Sequence, residues 1–345
     1  MDKGLQSASP LYELLVERYR DDILHRRLQP GDRLDSITQI QRKHGVARET
    51  AKRVLNILEQ DGLVIQRAGK GTFVAEHGPK ERIWGVVIPF VSIQYDDLLS
   101  KVSAHAAANG REVRRFYSYN NWEEEIRLVA RMQMERYEAV VVIPTLDESR
   151  TWDFYSRLSP SDAPVILLDH TMTYRDFAFV VQSYDLGVVR ALNYLLDRKP
   201  GAVAFVLNEG WTGRNMVLEL MAETYRMVLR RRRPDLEPVI FDNASRVCAD
   251  AIRTNGITGV FCCDDISAIQ VIGQLREEGV AVPRELCLAS YGNTALARYF
   301  TPALTSVDPH NDEMAAHLAG MLTGGLGRNE MRQYVVQPAL VIRET

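Results

Sequence analysis

Between Leu34 and Val74 the spacing of apolar residues shifts from a helical to an alternating period, and this constrains the fold more than any other feature of the chain. Ser36 followed by Gln39 is a capping-box pair; it opens a short helix to about His44 with Ile37 and Ile40 turned inward. Gly45 breaks that helix. Ala51, Val54, Leu55 and Leu58 then form an i, i+3, i+4, i+7 stripe, leaving Arg48, Glu49, Lys52, Arg53 and Asn56 mostly on the other side. Beyond it, Leu63–Ile65 and Thr72–Val74 can pair across Arg67-Ala68-Gly69-Lys70-Gly71, whose glycines permit a tight basic tip. Upstream, Leu11, Leu15, Tyr19 and Ile23 recur every fourth position after Pro10, which predicts a first helix ending near Gln29-Pro30-Gly31-Asp32.

Three helices and a ribbon in this order make a winged helix-turn-helix. A helix anchored along one stripe can present its opposite face to a DNA major groove, about 12 Å wide. Arg48 is the leading candidate for a base-edge or phosphate contact, because it stands where unpaired N–H groups add partial positive charge. Most charged helix faces only solvate a helix; the basic ribbon tip is what favours nucleic acid here. From Arg42 to Lys70 there are seven basic residues against three acidic ones, whereas residues 78–345 carry 29 basic and 34 acidic residues. A small positive patch on an otherwise acidic molecule suits phosphate contact at one end.

With 345 residues, nearly half of them apolar, the chain suits two or three folding units with a sizeable core. No apolar run approaches membrane-spanning length, and MDKGLQSASP has no leader-like apolar stretch. Cys248, Cys262, Cys263 and Cys287 lack metal-ligand spacing and read as reduced thiols, so a cytoplasmic location, away from any membrane, is expected. The seven histidines are scattered, and no nucleophile elbow, phosphate-cradling loop or zinc-protease motif occurs; neither enzyme activity, metal nor cofactor is expected. The run Arg230–Arg233 reads as a solvated helix end before Pro234.

Ala75–Arg82 is polar around Gly78-Pro79 and divides the chain into residues 1–75, a linker at 76–82, and residues 83–345. The third part alternates expected strands (Ile83–Pro89, Glu112–Tyr117, Ala139–Ile143, Val165–Asp169, Val203–Leu207, Gly259–Cys263, Leu286–Ser290) with expected helices (Leu98–Ala108, Trp122–Met134, Leu186–Leu196, Ile266–Glu278). Alternation of this kind gives an α/β fold with parallel, buried strands, whose ligands bind at strand carboxyl ends.

The elements PLYELL, LQPGDRL, LDS, V-A-R-E-T, LEQDGLV and GKGTFV, in that order, resemble the winged-helix domain of GntR-family bacterial regulators. The resemblance implies DNA contact by Ser36 and Thr38, by Arg48, Thr50 and Lys52, with Arg53 beside them, and by Gly69 and Lys70. Three positions depart from the family pattern: Asp35 replaces its usual proline, Thr38 an arginine or similar polar residue, and Ala47 a serine or threonine that would cap the third helix.

The run TGVFCCDDISAIQVIGQLREEGVAVPRELCLASYGN, followed by PALTSVDPHNDEMAAHLAGML, resembles the effector domain of LacI/galactose-type repressors, itself similar to periplasmic sugar-binding proteins. A GntR-type front on such a body resembles the arabinose-repressor architecture. This implies two lobes, roughly 83–185 with 294–320 and 186–293 with 321–345, and an effector between them. After the first strand come Phe90 and Tyr95; an aromatic face can cover the C–H face of a sugar, and equally can be ordinary core. Asp169-His170 matches the family's Asp-Arg pair, and Asp265 the acidic end of its Asn-Asp pair, either contacting ligand or capping the helix at Ile266. Gly292 replaces the family's aspartate, leaving Asn293 nearest. An expected arginine is missing, with Arg214 and Trp211 as stand-ins.

The expected function is a dimeric DNA-binding repressor whose affinity for double-stranded operator DNA is set by a small polar effector, a sugar by resemblance. The alternative is a sugar or metabolite receptor that has lost specific DNA binding.

Overall fold

A computed structural model describes residues 11–24, 27–60, 63–67, 69–75, 81–135, 137–146, 150–158, 163–172, 177–208, 215–324 and 332–345. The expected linker at 76–80 and the candidates Trp211 and Arg214 lie outside these residues.

The front unit comprises α1 (Leu11–Leu24), α2 (Ile37–His44), α3 (Arg48–Gln60), β1 (Val64–Arg67) and β2 (Gly71–Val74). The α2 capping box is present: Ser36 Oγ accepts from Gln39 N, and Gln39 Oε1 accepts from Ser36 N at 2.8 Å. Gly45 ends the helix in the left-handed conformation that glycine adopts without strain. The α3 stripe is fully inside, with Ala51, Val54 and Leu58 at 0% exposure. In α1 the core face is Leu15, Val16, Tyr19 and Ile23, while Leu11, expected on that face, is exposed. The wing pairs antiparallel from Val64 opposite Val74 to Arg67 opposite Gly71.

The remainder has two lobes. The first is built from β3 (Glu81–Ile88), α4 (Ile93–Ala108), β4 (Glu112–Tyr117), α5 (Trp122–Met134), β5 (Tyr137–Val142), α6 (Trp152–Ser156), β6 (Val165–Asp169) and β7 (Ala178–Gln182). The second holds α7 (Tyr184–Arg198), β8 (Ala202–Val206), α8 (Met216–Arg232), β9 (Val239–Phe241), α9 (Ala249–Thr254), β10 (Ile257–Cys262), α10 (Asp265–Glu277), β11 (Cys287–Tyr291), α11 (Ala295–Tyr299) and β12 (Thr305–Asp308). The chain then returns to the first lobe with α12 (Asn311–Thr323) and β13 (Gln333–Val336), and ends in the second with β14 (Ala339–Val341).

Strand orders are β13-β7-β6-β5-β3-β4 and β14-β12-β11-β10-β8-β9. All pairs are parallel except β12 with β14. The strands are continuously apolar because helices cover both faces. Along β3, Ile83 and Val87 enter one core while Trp84, Val86 and Ile88 enter the other.

The topology corrects the expected lobe limits. Residues 305–308 extend the second sheet and 333–336 the first, so the chain crosses between lobes at 182–184, 308–311 and 336–339. A short, polar strand such as Thr305–Asp308 carries no apolar alternation to reveal which sheet it joins. Residues 81 and 82, expected in the linker, already belong to β3.

Candidate DNA-reading face and interlobe cleft

The cations of the front unit sort into two groups. Lys43 donates to Asp35 at 2.9 Å, and Arg53 lies 3.8 Å over the Tyr12 ring while donating to its hydroxyl. Arg67 sits over Phe73. By contrast, the exposed side chains of Arg33, Arg42, Arg48, Lys52 and Lys70 make no hydrogen bond or ion pair among the described residues. Arg48 and Lys52 are one turn apart on α3, opposite its buried stripe, and Lys70 stands at the wing turn beside Gly69, whose φ of +71° suits glycine.

Of the other expected contacts, Thr38 is exposed, Thr50 is half-buried and the Ser36 hydroxyl is used by the α2 cap. Asp35, the departure from the family's proline, accepts from Tyr19 Oη at 2.7 Å as well as from Lys43, and so ties α1 to both ends of α2. Partial burial alone would raise its carboxyl, but the bonds from Lys43 and Tyr19 outweigh that and hold it below its ordinary value.

Between the lobes, Asp169 ends β6 with a φ of +73° and is almost fully buried. Tyr184 Oη donates to it at 2.8 Å, Gln182 Nε2 at 2.6 Å and Tyr95 Oη at 3.3 Å, with His170 Nδ1 also 3.3 Å away. Burial, and then the Asp169 charge, push the Tyr95 and Tyr184 phenols well above their ordinary range. Tyr291, from the second lobe, stacks on Tyr184 with ring centroids 5.4 Å apart. Asp169, His170 and Tyr95 therefore form a sealed cluster at the first crossing, and Phe90, 5.3 Å from Tyr95 ring to ring, is its partly exposed edge.

Asp265 is likewise enclosed. Its carboxylate accepts from Ser290 Oγ at 2.5 Å, Ser306 Oγ at 2.7 Å, Thr294 N at 2.7 Å and Thr294 Oγ1 at 2.8 Å. Burial raises its carboxyl, opposed by those donors. It does not cap α10; Asp264 does, accepting from Ser267 N at 2.7 Å. The residue read as either ligand contact or cap is a tie between β11, β12 and the loop before α11.

A polar cavity of about 330 Å³ opens between the lobes. Asp97 and Lys101 of α4 line one side, Asn293, Thr294 and Arg298 the other, and Asp308 and Asn311 sit at the second crossing. Asn293 donates to Asp308 Oδ2 at 2.9 Å and accepts from Arg343, while Asn311 donates to Asp97 at 2.7 Å. Asn311 Oδ1 is buried without a hydrogen-bond partner among the described residues.

Of the effector candidates within the described residues, only Asn293 lines this cavity. Its other walls come from the second and third turns of α4 and the first turn of α12, which lie away from the positions just past strand ends. The one available signal was the polar run Asp308–Asp312 after a short strand.

Residues 11–74 match the family model for bacterial regulatory proteins of the gntR family, and residues 192–345 match the model for a periplasmic binding protein-like domain. The chain is 19% identical to an arabinose metabolism transcriptional repressor of Halalkalibacterium halodurans, covering 97% of this chain and 96% of the relative. It is 25% identical over 273 residues to an HTH-type transcriptional repressor PurR of Erwinia tasmaniensis, covering 73% of this chain and 75% of that one. In fold, the two-lobed region resembles a LacI family transcriptional regulator from Lactobacillus casei with bound glucose (TM-score 0.64, 19% identity, 76% of this chain and 98% of that one). It also resembles a periplasmic binding protein/LacI transcriptional regulator from Alkaliphilus metalliredigens complexed with D-xylulofuranose (TM-score 0.61, 17% identity, 77% and 99%).

Proposed function

We propose that this chain, in which a GntR-type winged helix precedes a LacI-type, periplasmic-binding-protein-like sensor, is a homodimeric cytoplasmic repressor released from or recruited to DNA by a small polyhydroxylated ligand. The observation that carries the reading is the pairing of two polar surfaces in one polypeptide. One is the set of unpartnered cations on α3 and the wing; the other is the polar cavity between the lobes.

Arg48, Lys52 and Lys70 would neutralise phosphates or read base edges, with Thr38, Thr50 and the Gly69 backbone beside them. In the cavity, Asp97, Asn293, Asp308 and Asn311 present closely spaced donors and acceptors of the kind that fix sugar hydroxyls. Sugars bound in structures of similar fold support that ligand class. Two half-sites about 34 Å apart call for paired reading heads, so a homodimer fits. Ligand closing the lobes would move those heads, and coupling is reciprocal: DNA alters ligand affinity by the same factor.

Two measurements test this reading. Binding of the full-length protein to DNA from upstream of its own gene should weaken steeply as salt rises. A thermal-shift panel of pentoses, hexoses and their modified forms should contain one that raises the melting temperature and changes DNA affinity. A ligand without any DNA binding would instead establish a receptor that has lost specific DNA recognition.

A further inference from the structure

Arg33 was not among the residues that the sequence pattern marked for DNA contact, yet the fold delivers it to the wing. Residues 32–34 run beside β2 as a third, short strand: Arg33 bridges Phe73, Leu34 N donates to Thr72 O at 2.9 Å, and Val74 N donates to Asp32 O at 2.8 Å. This backbone fixes the Arg33 side chain over Gly71, at the base of the basic turn. A Cβ on residue 71 would lie 3.0 Å from Arg33 Nε and 3.3 Å from Nη2, and Gly71 also has a φ of +115°. Glycine at 71 thus serves both the turn and the close seating of the guanidinium.

Three of this unit's cations are engaged: Lys43 with Asp35, Arg53 with Tyr12, Arg67 over Phe73. Arg33 is exposed and makes no hydrogen bond or ion pair among the described residues. A guanidinium packed against backbone loses little rotational freedom on meeting an anion, and its planar fork suits a phosphate. We propose that Arg33 is a DNA-contacting residue of the wing, acting together with Lys70 on the phosphate backbone flanking the site read by α3. The inference rests on the DNA-binding reading above.

The test compares full-length wild type, Arg33→Ala, Arg33→Lys and Arg48→Ala on two probes: a short duplex of arbitrary sequence and the duplex from upstream of the protein's own gene. Arg232→Ala, whose native side chain bonds Asn193 and Asp197 in the second lobe, controls for net charge. A phosphate contact contributes on both duplexes, so Arg33→Ala should weaken both to a similar degree and lower the slope of log affinity against log salt by about one. Arg33→Lys should keep the slope. Arg232→Ala should match wild type, and equal melting temperatures certify the fold. Wild-type affinity and slope in Arg33→Ala, alongside a weakened Arg48→Ala, would overturn this inference and leave the DNA-binding reading intact. No salt-dependent binding by the wild type would remove both.

Discussion

The phenol of Tyr291, at the end of β11 in the second lobe, donates to Oε1 of Gln182, the last residue of β7 in the first lobe, at 2.7 Å. Gln182 passes the connection on through Nε2 to Asp169, which also receives Tyr184 and Tyr95. One buried polar chain therefore spans the first crossing, from a helix that borders the cavity to the floor of the opposite lobe. Removing the Tyr291 hydroxyl leaves a buried amide oxygen unpaired, which costs about 1–3 kcal/mol. Tyr291→Phe is expected to unfold at lower denaturant concentration by that amount, with any ligand-induced change in DNA affinity reduced. Stability equal to wild type would show that the bond contributes nothing.

Gly187, on α7, faces the same ring. A Cβ there would lie 2.6 Å from Tyr291 Cε2 and 3.0 Å from its hydroxyl, and neither the buried ring nor the helix has room to yield. Gly187→Ala ought to raise helix propensity, yet overpacking of about 1–3 kcal/mol dominates, so the melting temperature should fall. A rise would mean that α7 and β11 of the second lobe move apart at this point at little cost.

Asp265 marks the limit of what residue type alone reveals. Its place in the pattern TGVFCCDD predicted a polar side chain at a strand end, and that is where it stands. Its direction is set by Ser290 of β11, a strand that the apolar pattern marks, and by Ser306 of β12, whose short polar sequence hides it. Strands and helices with strong periods, such as Val165–Asp169 and Trp122–Met134, were legible to the residue. The short polar β12, and with it the lobe assignment of α12, was not. Asp265→Asn should lower stability by about 1–3 kcal/mol, because an amide nitrogen would face hydroxyl and N–H donors. Unchanged stability together with lost ligand response would return Asp265 to the ligand site.

On α3, Arg48 and Arg53 look alike in sequence and differ in the fold. Arg53 is committed to Tyr12 of α1, whereas Arg48 has no partner among the described residues. Arg48→Ala should lower the salt slope of DNA binding by about one and leave stability near wild type. Arg53→Ala should cost about 0.5–1 kcal/mol of stability, the worth of an exposed cation–π contact, with a smaller effect on the slope. The reverse assignment would follow if Arg53→Ala changed the slope and Arg48→Ala did not.

Glu125 introduces a pH dependence from inside the first lobe. It lies fully buried on α5, accepting from Thr145 N at 2.6 Å and from Tyr155 Oη at 2.8 Å, near His170. Burial pushes its carboxyl from an ordinary 4.5 to about 7, against the pull of those donors. Because the folded value is the higher one, the folded state holds a proton that the unfolded chain has already released between these limits. The stabilisation is therefore complete below about pH 4.5 and is lost as pH rises through about 7, by on the order of 3 kcal/mol. Denaturant midpoints measured from pH 5 to 8 should fall more steeply for wild type than for Glu125→Gln, whose neutral amide has no proton to lose. Parallel curves for the two proteins would place the titration elsewhere.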